Sequence, residues 1–258
     1  MGDKKRTVIE STKKLKILVA CEESQAVTKA FRALGHEAYS CDLLPCSGGH
    51  PEWHIKEDAI KVLRGNIWDL VIAHPPCTRM TNAGVRWLTS RKPRKGYVWC
   101  NLNKIYINSD FNGVWADLAS GITFFEEFKI YGMEGNKIAI ENPKPHKYAR
   151  EGFWVPNSPE LDFFFTGIGR PTQFIQPYQF GHTETKETGL WLYNLPELNG
   201  TNDVYEEMMR LPYGERAKVH HASPGPERAK LRSKTYEGIA NAMAIQWSKY
   251  LTEKTENK

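Results

Sequence analysis

The sequence lacks the marks of several whole classes of protein. Its five cysteines, an odd number, include no CxxC pair, which argues against a disulfide framework or a zinc ribbon. No apolar run approaches the ~18 residues of a membrane span. No apolar core follows the basic start from Met1 to Lys16, as a secretion signal requires, so a cytoplasmic protein off the membrane is expected. Internal repeats and low-complexity tracts are absent. A length of 258 residues suits one domain, or one with an insertion. Area scaling lets roughly 73% of the extended chain's surface be buried, enough for a core without crosslinks.

Acidic residues are missing where their absence is most informative. From Arg79 to Ser109 there are seven Lys/Arg and no Asp or Glu. The net charge of +5 is therefore +7 in this stretch and −2 elsewhere, by subtraction. Arg79, Arg86, Arg91, Lys92, Arg94, Lys95 and Lys104 are interleaved with Trp87, Tyr97, Trp99 and Tyr106. Positive charge neutralises phosphate, and rings stack on or wedge beside bases. The alternative is a solvated loop anchored by its aromatics. A second basic stretch, Arg216 to Lys234, carries Lys218, His220, His221, Arg228, Lys230 and Arg232 around a rigid Pro224–Gly225–Pro226 turn. Residues 1–14 read as a flexible basic tail. Cys41, Cys46, His50 and His54 form only a loose cluster, read as a strand end and a polar loop, so no metal is expected.

Periodicity predicts an α/β fold. Leu15 to Ala20 reads as a buried parallel strand. Ser24 then caps a helix bearing Val27, Ala30, Phe31 and Leu34 and ended by Gly35. His36–Leu43 and Asp69–His74 read as strands, the latter stopped by Pro75 and Pro76. A helix is expected over 115–131, a short strand over Ile138–Ile140, strands at Gln173–Gln176 and Gly189–Leu192, and a last helix from about Ser233 to Leu251. Alternating strands and helices imply a mostly parallel sheet covered on both faces. Such sheets bind ligands beyond the carboxyl ends of their strands. The first strand end, Asp42, His74–Cys77 and Glu141–Asn142 would all meet on that edge.

The order of these segments resembles the DNA cytosine-C5 methyltransferase family. A first strand runs into CEES, an acidic residue follows the second, HPPC and IEN follow later strands, and GIANAMA lies near the end. The similarity spans about residues 16–250 and is nearest to short, divergent bacteriophage-type forms, through AHPPCTRMT, QPYQFGHTETKETGLWL and RSKTYEGIANAMAIQW. It implies a Rossmann-like S-adenosylmethionine-dependent methyltransferase fold over 15–258. A basic insertion would occupy 79–112 and a small DNA-recognition region 193–232.

The chemistry is consistent with the resemblance. Cytosine C5 is too weak a nucleophile to attack a methyl sulfonium unaided. A thiolate adding at C6 makes C5 enamine-like, and Cys77 is the expected nucleophile. The resemblance gives Glu141 the cytosine N3 and exocyclic amine, and has Asn142 fix the loop. The charge pattern gives Arg86, Arg91, Lys92, Arg94, Lys95, Lys186, Arg228 and Arg232 to DNA, Arg79 is expected at the target base or a nearby phosphate, and Pro76 lines the base pocket, with the DNA double-stranded and the target base flipped out. S-Adenosylmethionine is expected across Cys21, Glu22, Glu23, Ser24, Asp42, Asp58, Pro75 and Asn241. Two features depart from the family: the glycine-rich turn after the first strand is ACEESQAV, and Lys186 stands where an arginine pair is expected. Three rivals remain open: an amino-directed (N4-cytosine or N6-adenine) DNA methyltransferase, a pyrimidine C5 enzyme acting on free nucleotides, and a non-catalytic DNA-binding protein. Target sequence and oligomeric state are not readable.

Overall fold

A computed structural model describes residues 13–81, 84, 86–101, 103–155, 163–218 and 233–256. Its strands, in chain order, are β1 (Lys16–Ala20), β2 (Glu37–Asp42), β3 (His54–Lys56), β4 (Leu70–Ala73), β5 (Thr89–Ser90), β6 (Tyr97–Cys100), β7 (Ile105–Asn108), β8 (Ile138–Pro143), β9 (Phe153–Val155), β10 (Phe163–Phe165), β11 (Gln173–Ile175) and β12 (Thr188–Tyr193). Seven of them form one sheet in the order β11-β12-β8-β4-β1-β2-β3. The pairings β3–β2–β1–β4–β8 are all parallel, whereas β12 runs antiparallel to both β8 and β11. These five parallel strands follow the doubly wound order, with its reversal between β1 and β4.

Side-chain alternation explains why both faces are covered. Leu18 and Ala20 of β1, with Val71, Ala73, Ile138 and Ile140, point into one buried cluster. Ile17, Val19, Leu70, Ile72 and Ala139 point into the other, as a period of two requires. The first face is covered by α2 (Ala59–Arg64) and α3 (Ala116–Met133), through Val62, Leu63, Leu118, Ile122, Phe125 and Phe128. The second is covered by α1 (Ala26–Ala33) and the C-terminal helix, through Val27, Phe31, Ile239, Met243 and Trp247. Each such fully buried side chain contributes roughly 1.5–3 kcal/mol. Three short helices, α4 (Lys147–Glu151), α5 (Tyr205–Arg210) and α6 (Tyr213–Arg216), precede that C-terminal helix, α7 (Glu237–Glu256). Among the described residues no helix is long and apolar enough to cross a membrane.

Four expectations need correction. Ser24 does not cap α1: the N-cap is Gln25, and the first-turn amides of Val27 and Thr28 donate to the Glu22 carboxylate at 2.7 and 3.2 Å. The strand at Ile138–Ile140 continues through Glu141 and Asn142 to Pro143, because β12 pairs along its whole length. The basic stretch after Cys77 is not a plain loop. β5, β7 and β6 form a three-stranded antiparallel sheet there. Leu88, Cys100 and Ile107 anchor that sheet to the main core. The last helix starts at Glu237 rather than Ser233 and runs on to Glu256. Of the basic tail, Lys13 is held by Asp69 at 3.1 Å, and residues 1–12 lie outside the described residues.

Candidate active site

The carboxyl edge of the sheet gathers the expected residues because parallel strands end together. Ala20 of β1 is in register with Cys41 and with Ala73, and Ala73 with Ile140. Cys21, Asp42, His74 and Glu141 each follow one of these positions by one residue. β12 enters at this same edge because it is antiparallel, which brings Lys186 alongside.

Glu141 is the electrostatic centre. Its Oε2 lies 2.9 Å from His74 Nδ1, and the two side chains are only 10% and 8% exposed. Burial pushes the Glu141 carboxyl up, but the His74 hydrogen bond and the positive charges of Lys186 and His74 outweigh it, and the group is held below its usual range. Lys186 is itself buried, with Nζ 5.9 Å over the Tyr236 ring. Thus Lys186, expected to meet DNA, faces the Glu141 cluster. The Asn142 amide donates to the Pro75 carbonyl at 3.3 Å, tying β8 to the proline turn.

Cys77 sits half-exposed after that turn. Its carbonyl accepts from the Met80 and Thr81 amides at 3.0 and 3.3 Å. Three of the other cysteines are less suited to attack. Burial, with the charges of Asp42, Cys41 and Asp58 adding, pushes the Cys21 thiol far up. Burial likewise pushes Cys41 up to about 11, and Cys100 is buried. A thiol becomes nucleophilic only as its thiolate. A cleft of about 520 Å³ flanks the turn, lined by residues that include Pro76, Arg79, Met80, Asp117 and Phe124. The Arg79 guanidinium is engaged there by Asp117 at 3.0 Å.

His146 supports the same loop, and sequence reasoning missed it. Its Nε2 lies 2.7 Å from the Arg79 carbonyl and its Nδ1 accepts from the Ala149 amide at 3.1 Å. One nitrogen must donate and the other accept, so the ring is held neutral. Burial lowers its pKa, and the Arg79 carbonyl only partly offsets this. Stability from this group is complete above the ordinary value of 6.5 and is lost as pH falls below it toward the folded value. Thermal denaturation between pH 8 and 5 should therefore show a decline on acidification that is smaller in His146→Gln. An identical decline in the variant would contradict the assignment.

The first-strand loop departs from expectation in one respect. Glu22 is buried and its carboxylate is consumed by capping α1 and by the Thr28 hydroxyl at 2.7 Å, so it is not a ligand group. Glu23 and Ser24 are half-buried beside it. Cys21 and Gln25 have φ of 59° and 57°, the left-handed region that usually falls to glycine. Asp42 and Asp58 both act on Cys21. Asp42 accepts from the Leu44 amide at 2.9 Å, and Asp58 caps α2 through the Lys61 amide at 2.9 Å. Asn241 is exposed on α7, one turn beyond Gly238. Gly238 packs against the Phe180 carbonyl and donates its amide to His182 Nε2 at 3.0 Å.

Within the small sheet, Trp87, Val98 and Trp99 are 42%, 47% and 48% exposed. Arg86 and Arg94 lie over the Trp87 ring at 5.2 and 5.9 Å. Arg86, Arg91, Lys92, Arg94, Lys95 and Lys104 are exposed, and among the described residues none of them is in an ion pair. Arg216 accepts the Thr185 amide at 2.8 Å through its carbonyl, so the second basic stretch begins beside the Lys186 loop. Arg228 and Arg232 lie outside the described residues. Of the four loosely clustered candidates, His54 bonds Ser40 and Leu44, His50 pairs with Glu52, and Cys41 donates to the Glu57 carbonyl.

Comparisons with known proteins find no family model that matches the chain and no curated protein significantly similar to it.

Proposed function

We propose that this protein transfers a methyl group from S-adenosylmethionine to C5 of cytosine in DNA. The observation that carries the reading is the edge itself: a half-exposed Cys77 on a proline turn that Asn142 ties to β8, and on β8 a buried Glu141 held by His74 and Lys186. The Cys77 thiolate adds to C6, and the C5=C6 electron pair becomes available at C5. Glu141, an anion in the resting protein, accepts from the exocyclic amine, and as the thiolate adds, a proton taken up from water through the Glu141 carboxyl passes to N3 and relieves the charge developing there. Once C5 carries the methyl group, its proton passes to water, and the C5–H electron pair re-forms the C5=C6 bond as the thiolate leaves C6.

The first-strand loop fits the methyl donor. The left-handed turn at Cys21 and Gln25 supplies the tight backbone that glycines otherwise provide, and a donor without phosphate needs no phosphate cradle. Asp42, at the end of β2, suits the ribose hydroxyls and Asp58 the adenine amine, while Cys21, Glu23, Ser24 and Pro75 line the same edge. When bound, S-adenosylmethionine supplies the electrophilic methyl group.

The amino-directed rival is disfavoured by two hydrogen bonds. Such enzymes grip the target amine with an Asp/Asn/Ser–Pro–Pro–aromatic turn. Here His74 is taken by Glu141 and the Pro75 carbonyl by Asn142.

The small sheet supports DNA as substrate rather than a free nucleotide. Its unpaired arginines and lysines, with Trp87 and Trp99, suit a phosphate backbone. Replacing Arg91, Lys92 or Lys95 by Ala should weaken binding to all DNA sequences alike and reduce the salt dependence by about one per charge. Fluorescence anisotropy at several salt concentrations measures this, and an unchanged slope would exclude this face. For the reaction, incubation with labelled S-adenosylmethionine and DNA, followed by nucleoside mass analysis, should yield 5-methylcytosine. A different methylated base, or none, would overturn the reading.

A further inference from the structure

His74 is buried at the end of β4, its side chain 8% exposed, and it is bonded to a residue 67 positions away in the chain. Nothing in the chemistry above requires a histidine there; the proline turn alone would place Cys77. We propose that His74 is a positioning residue for Glu141, orienting its carboxylate through Nδ1–H···Oε2 and keeping it an acceptor while cytosine binds.

The geometry leaves His74 little else to do. An ionised carboxylate only accepts hydrogen bonds, so Nδ1 must carry the hydrogen. The other ring nitrogen, Nε2, is buried and has no hydrogen-bond partner among the described residues. Among the described residues, Glu141 is therefore the ring's one polar contact. Three strands converge on the carboxyl group: β8 carries it, β4 ends at His74, and the loop before β12 brings Lys186. Behind Lys186 lies Tyr236, whose hydroxyl donates to Glu184 at 2.9 Å. Asn142, next to Glu141, is turned to Pro75. The polar groups facing Glu141 are thus Lys186 and His74. Of these, His74 is the hydrogen-bonded one, and its loss leaves burial opposed by Lys186 alone. A buried carboxyl with fewer partners takes up a proton more readily and then donates where an acceptor is needed.

The inference rests on the cytosine reading for what Glu141 touches, but the pairing itself can be tested without turnover. With carbon-13 at the glutamate carboxyls and Glu141→Gln to assign the signal, the Glu141 resonance should titrate at higher pH in His74→Ala than in the wild type. His74→Asn keeps an N–H donor near the Nδ1 position and should return the titration toward that of the wild type, which separates positioning from packing. In methyl transfer, His74→Ala should lower kcat by about 10- to 100-fold, the range for removing a bonded partner of a working group, with KM nearly unchanged and partial rescue in His74→Asn. An unchanged Glu141 titration in folded His74→Ala, or an equal loss in Ala and Asn variants, overturns the proposal. Wild-type protein that makes no 5-methylcytosine while the titration shifts as stated defeats the cytosine reading and leaves the pairing standing.

Discussion

Cys77→Ala is expected to abolish methyl transfer, lowering the rate on the order of 10⁴-fold or more, as loss of a covalent nucleophile does. The effect is this large because C5 has no alternative source of nucleophilicity once the sulfur is gone. Folding should survive. Cys77 is half-exposed on the turn, and its backbone, through the carbonyl that accepts from Met80 and Thr81, shapes the loop. DNA affinity should remain close to that of the wild type, since the cationic sheet is untouched. Methyl incorporation and DNA binding measured on one preparation make the test. Retained methylation would remove Cys77 from the mechanism and point to an amino-directed product. Unimpaired binding with no turnover even in the wild type would instead favour a protein that only binds DNA.

The second large effect is expected at Glu141. Glu141→Gln keeps the shape of the side chain but removes its negative charge and its ability to hold a proton, a loss of about 10²- to 10⁴-fold for a general acid–base group. If the carboxyl meets a flipped base, as proposed, the change should fall on kcat more than on DNA affinity. Its partners explain the size of the effect. His74 and Lys186 are arranged around an anion in a buried site, and an amide leaves both without the charge they face. Steady-state rates at saturating DNA check this. A variant within about threefold of wild type would contradict a role in proton handling, for which tenfold corresponds to 1.36 kcal/mol.

How much could be read from the chain depended on range. β1 and β4 were legible because LKILVA and LVIA are continuous apolar runs, as strands buried on both faces must be. Their ends, and so the shared edge of Asp42, Cys77 and Glu141, followed from the fold class. Short-range chemistry was harder to read. Glu22 looks like a ligand in CEES, yet it caps a helix that starts four residues later, a choice that depends on the left-handed Gln25. β3 is three residues long and half-exposed, too short for any period to mark. The small sheet hid behind Arg91–Lys95, whose charge reads as loop, although Leu88, Cys100 and Ile107 fasten it to the core. Long-range partners left no trace at all. His74 with Glu141, His146 with Arg79, and Arg79 with Asp117 join residues from 38 to 67 positions apart, and only the assembled sheet shows which charges meet. Arg79 was expected at the target base or a nearby phosphate; its guanidinium is paired with Asp117 of α3.

The most direct measurement of the central claim uses DNA in which cytosine is replaced by 5-fluorocytosine. Fluorine cannot leave C5 as the proton does, so the sulfur–C6 bond cannot be undone after methyl transfer. With S-adenosylmethionine present, the account predicts a protein–DNA adduct that survives denaturation, maps to Cys77 by peptide mass analysis, and is absent in Cys77→Ala. Tight DNA binding with no adduct, or an adduct at any other residue, would contradict it.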